Sequence, residues 1–362
     1  MFLEAETSFG LNFLSTLPAN QSLVFSPLSI ALALSLVHAG AKGASKDQIG
    51  DALLKGANDD QFVNHFQFIS ESLKASDNGV KVNVANRVYL RNGFTPLPTY
   101  LSTVSKNYNA SAESLDFSSS SSVQKINNFV KEATEGKISD LVSKDSIQDA
   151  VALLINAVYF KGDWEDTFEA SGTKEKEFYP SPNPSKALKI PFMVELHYYR
   201  ELAQDDLFQV MVLKYKDPKY KFAIFLPKDK NLGASVKKLD AARFQKLLNS
   251  AKRTYSNVEI PKFTVEKELT LKESLTKLGI TEIFTDNADL SGMAKDVKIS
   301  DGAHKAIIEV NEDGTTAAAA TMVKPVPMSM PMNPAVEFKA NHPFLFALVR
   351  ESHPIFLGAF YG

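Results

Sequence analysis

One stretch near the C-terminus constrains this chain more than any other. Val310-Asn311-Glu312-Asp313-Gly314-Thr315-Thr316 runs into four alanines, Ala317 to Ala320, and then into Thr321-Met322-Val323-Lys324-Pro325-Val326-Pro327-Met328-Ser329-Met330-Pro331. The alanines favour helix. The three prolines behind them forbid helix and force an extended backbone. A segment with small, strand-compatible residues that cannot settle locally is a candidate structural switch.

The rest of the chain must supply the fold in which such a switch works. With 362 residues, 44% hydrophobic and 23% charged, the composition is that of an ordinary globular protein able to bury a sizeable core. A formal net charge of -2 gives no global pull toward nucleic acid or an anionic membrane. The absence of cysteine excludes disulfides, thiolate catalysis and cysteine-ligated zinc. The N-terminal residues lack the basic segment and apolar core of a secretory signal. The longest apolar run, Leu28 to Ala39, is too short to span a bilayer. A cytoplasmic protein, or one released by a route without a signal peptide, is expected.

Helical patterns dominate the first third. Phe9, Phe13 and Leu17 recur four apart. Ser26 followed by Pro27 reads as a cap and first position of a helix, closed by Gly40 and Gly43. A further helix is expected from Lys125 to Val142, after a polar loop of five serines, Ser118 to Ser122. Strands follow at Val82–Leu90, Val151–Phe160, Gln209–Leu213, Lys221–Leu226 and Val258–Phe263, with two more around Glu351–Pro354. Val151–Phe160 is almost wholly apolar, so it reads as a central strand covered on both faces. Asn156 in its middle must then anchor a hydrogen-bond network. Helices first and strands later predict an α+β protein with large antiparallel sheets.

Enzymatic constellations are missing. There is no G-x-S-x-G elbow, no H-E-x-x-H and no phosphate loop. The six histidines (His38, His65, His197, His304, His342 and His353) show no metal-ligand spacing, so neither metal nor cofactor is expected. Lys237, Lys238, Arg243, Lys246, Lys252 and Arg253 gather around one predicted helix and read as its solvated face.

Taken in order, the motifs resemble those of the serpins, the serine protease inhibitor superfamily, along essentially the whole chain. They are Phe25-Ser26-Pro27-Leu28-Ser29-Ile30, then Ile126-Asn127-Asn128-Phe129-Val130 with Thr134-Glu135-Gly136-Lys137-Ile138, and Leu154-Ile155-Asn156-Ala157-Val158-Tyr159-Phe160 leading to Trp164. Phe225-Leu226-Pro227, Ile260-Pro261-Lys262-Phe263, His304-Lys305-Ala306 and Asn341-His342-Pro343-Phe344 follow. The resemblance implies a single serpin domain over 1–362, with three β-sheets, about nine helices and an exposed reactive-centre loop near 312–334. It implies a hinge at Glu312, Asp313, Gly314, Thr315, Thr316, Ala317, Ala318, Ala319 and Ala320. A sheet-opening switch of Ser26, Ser29, Asn156, Trp164 and His304 is implied as well. Serpin loop insertion is itself a standard instance of strand addition with release of strain.

The residues after Gly314 suit that mechanism. In a strand, side chains alternate between faces. If Thr315 points inward, so do Ala317, Ala319, Thr321 and Val323, none of them large or charged. Gly314 supplies backbone freedom for the swing. The resemblance places the scissile bond about fourteen residues beyond that glycine, at Met328-Ser329, and Pro327-Met328-Ser329-Met330-Pro331 is similar to the reactive site of alpha-1-antitrypsin. An unbranched apolar methionine suits chymotrypsin-, cathepsin G- or elastase-like serine proteases as partners. Val326, Pro327, Met330 and Pro331 flank the bond; Met330 and Val326 are alternative cut sites, and Met322 is a remoter one. The expected activity is covalent trapping of a protease by a monomeric inhibitor. Inhibition of cysteine cathepsins and a non-inhibitory binding role are the alternatives.

Overall fold

The apolar run forms the strand Ala152–Asp163 (β4). It lies inside a six-stranded sheet of the computed structural model, which describes residues 2–73, 78–180, 186–315 and 333–362. Its neighbours run in the order Phe263–Thr270 (β10), Asp301–Val310 (β11), Gly314–Thr315 (β12), β4, Val80–Arg91 (β2) and Ser111–Leu115 (β3). Both faces of β4 are covered, as its composition requires. Ala152, Leu154, Val158 and Phe160 enter the main core, and Leu153, Ile155 and Ala157 enter a smaller one. Burying one such large side chain contributes roughly 1.5–3 kcal/mol.

The second sheet has nine strands. Leu23–Phe25 (β1), His353–Phe360 (β15), Phe344–Arg350 (β14), Tyr220–Pro227 (β8), Phe208–Lys214 (β7), Leu188–Gln204 (β6), Lys252–Pro261 (β9) and Val336–Lys339 (β13) follow one another across it, with Lys174–Phe178 (β5) paired to β6. Its hydrogen bonding is continuous through β6 and β9, whose register shifts between Glu195 and Tyr198, so the described residues form two hydrogen-bonded sheets where three were expected. The antiparallel expectation is only partly met: β4–β11, β2–β3 and β13–β9 are parallel pairs.

Ten α-helical segments are described: Phe2–Thr16 (α1), Pro27–Gly40 (α2), Gly43–Leu54 (α3), Asp59–Ser72 (α4), Pro98–Tyr108 (α5), Ser120–Ala133 (α6), Lys144–Ile147 (α7), Leu232–Val236 (α8), Ala241–Asn249 (α9) and Leu271–Lys277 (α10). None is long and apolar enough to cross a membrane. α2 is apolar on nearly all sides and sits in the core, as such helices do. It starts where expected, with the Ser26 side chain accepting from Ser29 N, but Gly43 opens α3 and does not close α2.

The helix expected at Lys125–Val142 is shifted. Ser119 caps it, so the serine run is largely its first turn and not a loop. It stops at Ala133 because Glu135 and Gly136 turn to φ 54° and 80°. The apolar Ile138 and Leu141 that suggested further helix are instead buried side chains of an irregular segment, held by Thr134 and Asn127. α6 packs on the outer face of the six-stranded sheet through Ile126 and Val130. The Arg87 guanidinium of β2 lies 3.8 Å from the Phe129 ring centre.

Candidate functional site

Two polar clusters sit along the β4–β11 seam. These strands pair directly from Asp301↔Leu153 to Ile307↔Tyr159, which brings His304 opposite Asn156. On the other side of β4, Asn86 of β2 is also opposite Asn156. The register thus sets three polar residues in one row, beneath the N-terminus of α2.

The row is fully wired. Ser26 N donates to His304 Nε2 (3.1 Å), and Ser29 N donates to Ser26 Oγ (3.1 Å). Asn156 Nδ2 donates to Ser29 O (3.0 Å) and is also bonded to Asn86 Oδ1. Because Nε2 of His304 accepts, Nδ1 carries the proton and donates to Asn156 Oδ1. Ser26, Ser29, Asn156 and His304 are all buried. Burial pushes the His304 pKa down to about 3, so the ring is neutral. Separating β4 from β11 breaks the His304–Asn156 bond between fully buried side chains.

The second cluster lies at the end of the seam, where β11 turns back into β12. Asn311 Oδ1 accepts from the backbone N–H of Asp313 and Gly314, both at 3.1 Å, and closes the turn. The two residues of β12 then lie between β11 and β4 and run antiparallel to both, with Gly314 opposite Asp163 and Thr315 opposite Gly162. Thr315 is completely buried, its hydroxyl 2.6 Å from that of Tyr215. Trp164 stacks on Tyr215 with ring centres 4.5 Å apart, and its indole N–H donates to Asn311 O (2.9 Å). Glu312 is clamped from both sides: Lys262 Nζ lies 2.8 Å from one carboxylate oxygen, and Thr173 Oγ1 donates to the other at 2.6 Å. Burial raises the Glu312 pKa, but the bonds from Lys262 and Thr173 outweigh it and hold the group below the usual carboxylate range.

The sequence-derived residues therefore fall into two groups: Ser26, Ser29, Asn156 and His304 in the middle, and Trp164 with Glu312, Asp313, Gly314 and Thr315 at the end. The account of Gly314 changes. A Cβ there would come 2.1 Å from Gly162 O and 2.9 Å from Asp163 Cα, so close approach of backbones explains this glycine. Thr316, Ala317, Ala318, Ala319, Ala320, Val326, Pro327, Met328, Ser329, Met330 and Pro331 lie outside the described residues. Sequence reasoning missed Asn86, Thr173 and Tyr215, whose roles arise only from the pairing of distant strands. Lys262 stood in a quoted motif with no role attached. Of the basic residues around α9, Arg243 is ion-paired with Asp205 at 2.6 Å, so that face is partly neutralised.

The family model Serpin (serine protease inhibitor) matches residues 4–362. The chain is similar to Iripin-2 of Ixodes ricinus, 32% identical with 95% of this chain and 88% of the relative covered. It is also similar to the leukocyte elastase inhibitor of Xenopus tropicalis, 34% identical with 91% and 89% covered. Among solved structures, that of the thermophilic serpin Tengpin in its native state superposes with a TM-score of 0.91 at 29% identity, covering 100% of this chain and 94% of that one. The chain belongs to the serpins. That places it among protease inhibitors and not among enzymes, in line with the inhibitor names its relatives carry.

Proposed function

We propose that the chain is a suicide inhibitor of chymotrypsin-like or elastase-like serine proteases, cleaved after Met328. The observation that carries this is the strand Gly314–Thr315, which already occupies the place between β11 and β4. Continuing it would put Ala317, Ala319, Thr321 and Val323 on the face where Thr315 is buried. Each can be swallowed without burying a charge. A strand inserted there replaces the parallel β4–β11 pairing, slightly the weaker kind, with two antiparallel ones. About ten entering residues, at about 1 kcal/mol per net hydrogen bond, give a drive on the order of 10 kcal/mol before apolar burial is added.

The chemistry belongs to the protease. Its serine attacks the Met328 carbonyl, the bond to Ser329 breaks, and the Ser329 amine leaves with a proton. The acyl-enzyme remains on Met328. Insertion then carries the protease away and distorts its active site before water can deacylate it. The inhibitor contributes a metastable fold, with Glu312 to Ala320 as hinge, Ser26, Ser29, Asn156, Trp164 and His304 as the contacts that gate sheet opening, and Val326, Pro327, Met330 and Pro331 shaping the docking. The relative named leukocyte elastase inhibitor supports a target of this class.

The test is incubation with chymotrypsin, cathepsin G, elastase, trypsin and a cysteine cathepsin, followed by a denaturing gel and cut-site mapping. Covalent complexes with the first three and a cut after Met328 are expected. Complexes only with the cysteine cathepsin would move the target class. Cleavage by every protease without a covalent band would leave a binding protein and overturn the proposal.

A further inference from the structure

Away from the seam, a buried carboxylate has no part in the inhibitory site. Glu6 lies on the inward face of α1, 7% exposed, against Phe9, Pro27, Leu28, Phe66 and Pro354. An ionised carboxylate in such surroundings must be paired. Here it is paired twice, by residues remote in sequence: one oxygen meets His65 Nε2 of α4, and the other meets His353 Nδ1 of β15. Three elements thus meet on one side chain. Beside it, Gln245 Nε2 of α9 donates to Thr7 Oγ1 (2.8 Å) and to Ser352 O (3.0 Å), so a neutral bond secures the same seam.

We propose that Glu6, His65 and His353 form a pH-gated clamp that fastens α1 to α4 and to the β14–β15 hairpin, and so limits the pH range in which α1 stays docked. The proposal is independent of which protease, if any, is trapped. Among the described residues no group of three is placed to hold a metal ion. Water has access: a cavity of about 270 Å³ beside the cluster is lined by Phe2, Phe68, Arg350 and both histidines.

The other charged groups facing the cluster come from the hairpin. Glu351 favours the His353 cation and Arg350 opposes it; the two are themselves 3.6 Å apart. α9 presents the neutral Gln245, and the α2 residues against Glu6, namely Pro27, Leu28 and Ala31, are apolar. The bond from Glu6 raises the His353 pKa. Its contribution is therefore complete below the ordinary imidazole pKa of about 6.5 and is lost as pH climbs through the raised value. Burial raises the Glu6 pKa, but the two histidines outweigh this and lower it. That contribution is present above the ordinary carboxylate value and lost as pH falls through the lowered one. The clamp is strongest between these limits and loosens on both sides.

Hydrogen exchange of the α1 amides in the whole protein, corrected for the base dependence of the intrinsic rate and followed from pH 6 to pH 9, tests it. In the wild type, protection of α1 should fall progressively across that range as His353 gives up its proton. In His353→Gln, protection should already be low at pH 6 and should stay flat. Glu6→Gln should behave alike; if it fails to fold, His353→Gln decides. A wild type with no pH-dependent loss, or the same loss in His353→Gln, overturns the clamp.

Discussion

The two polar clusters on the β4–β11 seam are built from different materials. The end cluster is charged and partly wet: the Lys262 side chain that holds Glu312 is 36% exposed. The middle cluster is neutral and sealed at its centre, with His304 and Asn156 fully buried. Parting Lys262 from Glu312 lets the half-exposed lysine return to water, which offsets part of what is lost. Parting His304 from Asn156 leaves buried polar groups without partners, at about 1–3 kcal/mol each. The difference gives the seam a direction. It is weakest where β12 already sits and strongest where the two long strands are wired together.

The largest expected effect comes from forcing a charge into the weak end. Thr315→Arg places a guanidinium where the hydroxyl is sealed against Tyr215, and burying it costs several kcal/mol. The yield of covalent complex should drop at least about tenfold while cleavage continues. Undiminished complex on a denaturing gel would break the claim that this position must stay sealed between β11 and β4.

The middle cluster should show itself through acid. His304 stays neutral in the fold down to a pH of about 3, whereas the unfolded chain takes up that proton near pH 6.5. Its stability is thus complete above pH 6.5 and is lost progressively as pH falls from there, at up to about 1.4 kcal/mol per pH unit. Urea midpoints between pH 7.5 and pH 5 should fall less steeply in His304→Gln. His38, depressed by burial to about 4, keeps its own share, so the slope becomes shallower without vanishing. The Glu312 contribution is lost only below the ordinary carboxylate range, which separates the two clusters on one pH axis. An unchanged slope in the glutamine variant would remove the contrast between them. The smallest effect belongs to Tyr215→Phe, which deletes one hydrogen bond at the weak end. A loss of about 1 kcal/mol is expected in chemical denaturation. A loss of several would mean that the end is not weak.

Much of this was legible in the residues. An apolar run with one asparagine predicts a doubly covered strand and a buried network, and both are found at β4. Ser26 before Pro27 predicts the cap that also delivers a backbone N–H to His304. What the sequence concealed are relations between strands. Asn86 looks like any polar residue of a half-exposed strand until the register sets it against Asn156. Tyr215 is an ordinary strand-end aromatic until β12 brings Thr315 to it. The end of α6 was misjudged because Ile138 and Leu141 continue an apolar spacing in a segment that is not helical. The left-handed Glu135 before Gly136 gives no warning, since glutamate rarely takes that conformation.

The contact between Gly162 and Gly314 has one more consequence. Gly314 stands opposite Asp163, and a Cβ on it would strike the neighbouring Gly162 carbonyl, so no side chain can take this place in the alignment. A strand displaced by one residue turns every side chain to the opposite face. Gly314 therefore works as a frame mark. It fixes the phase in which β12 is counted, so that Thr315 belongs to the interior.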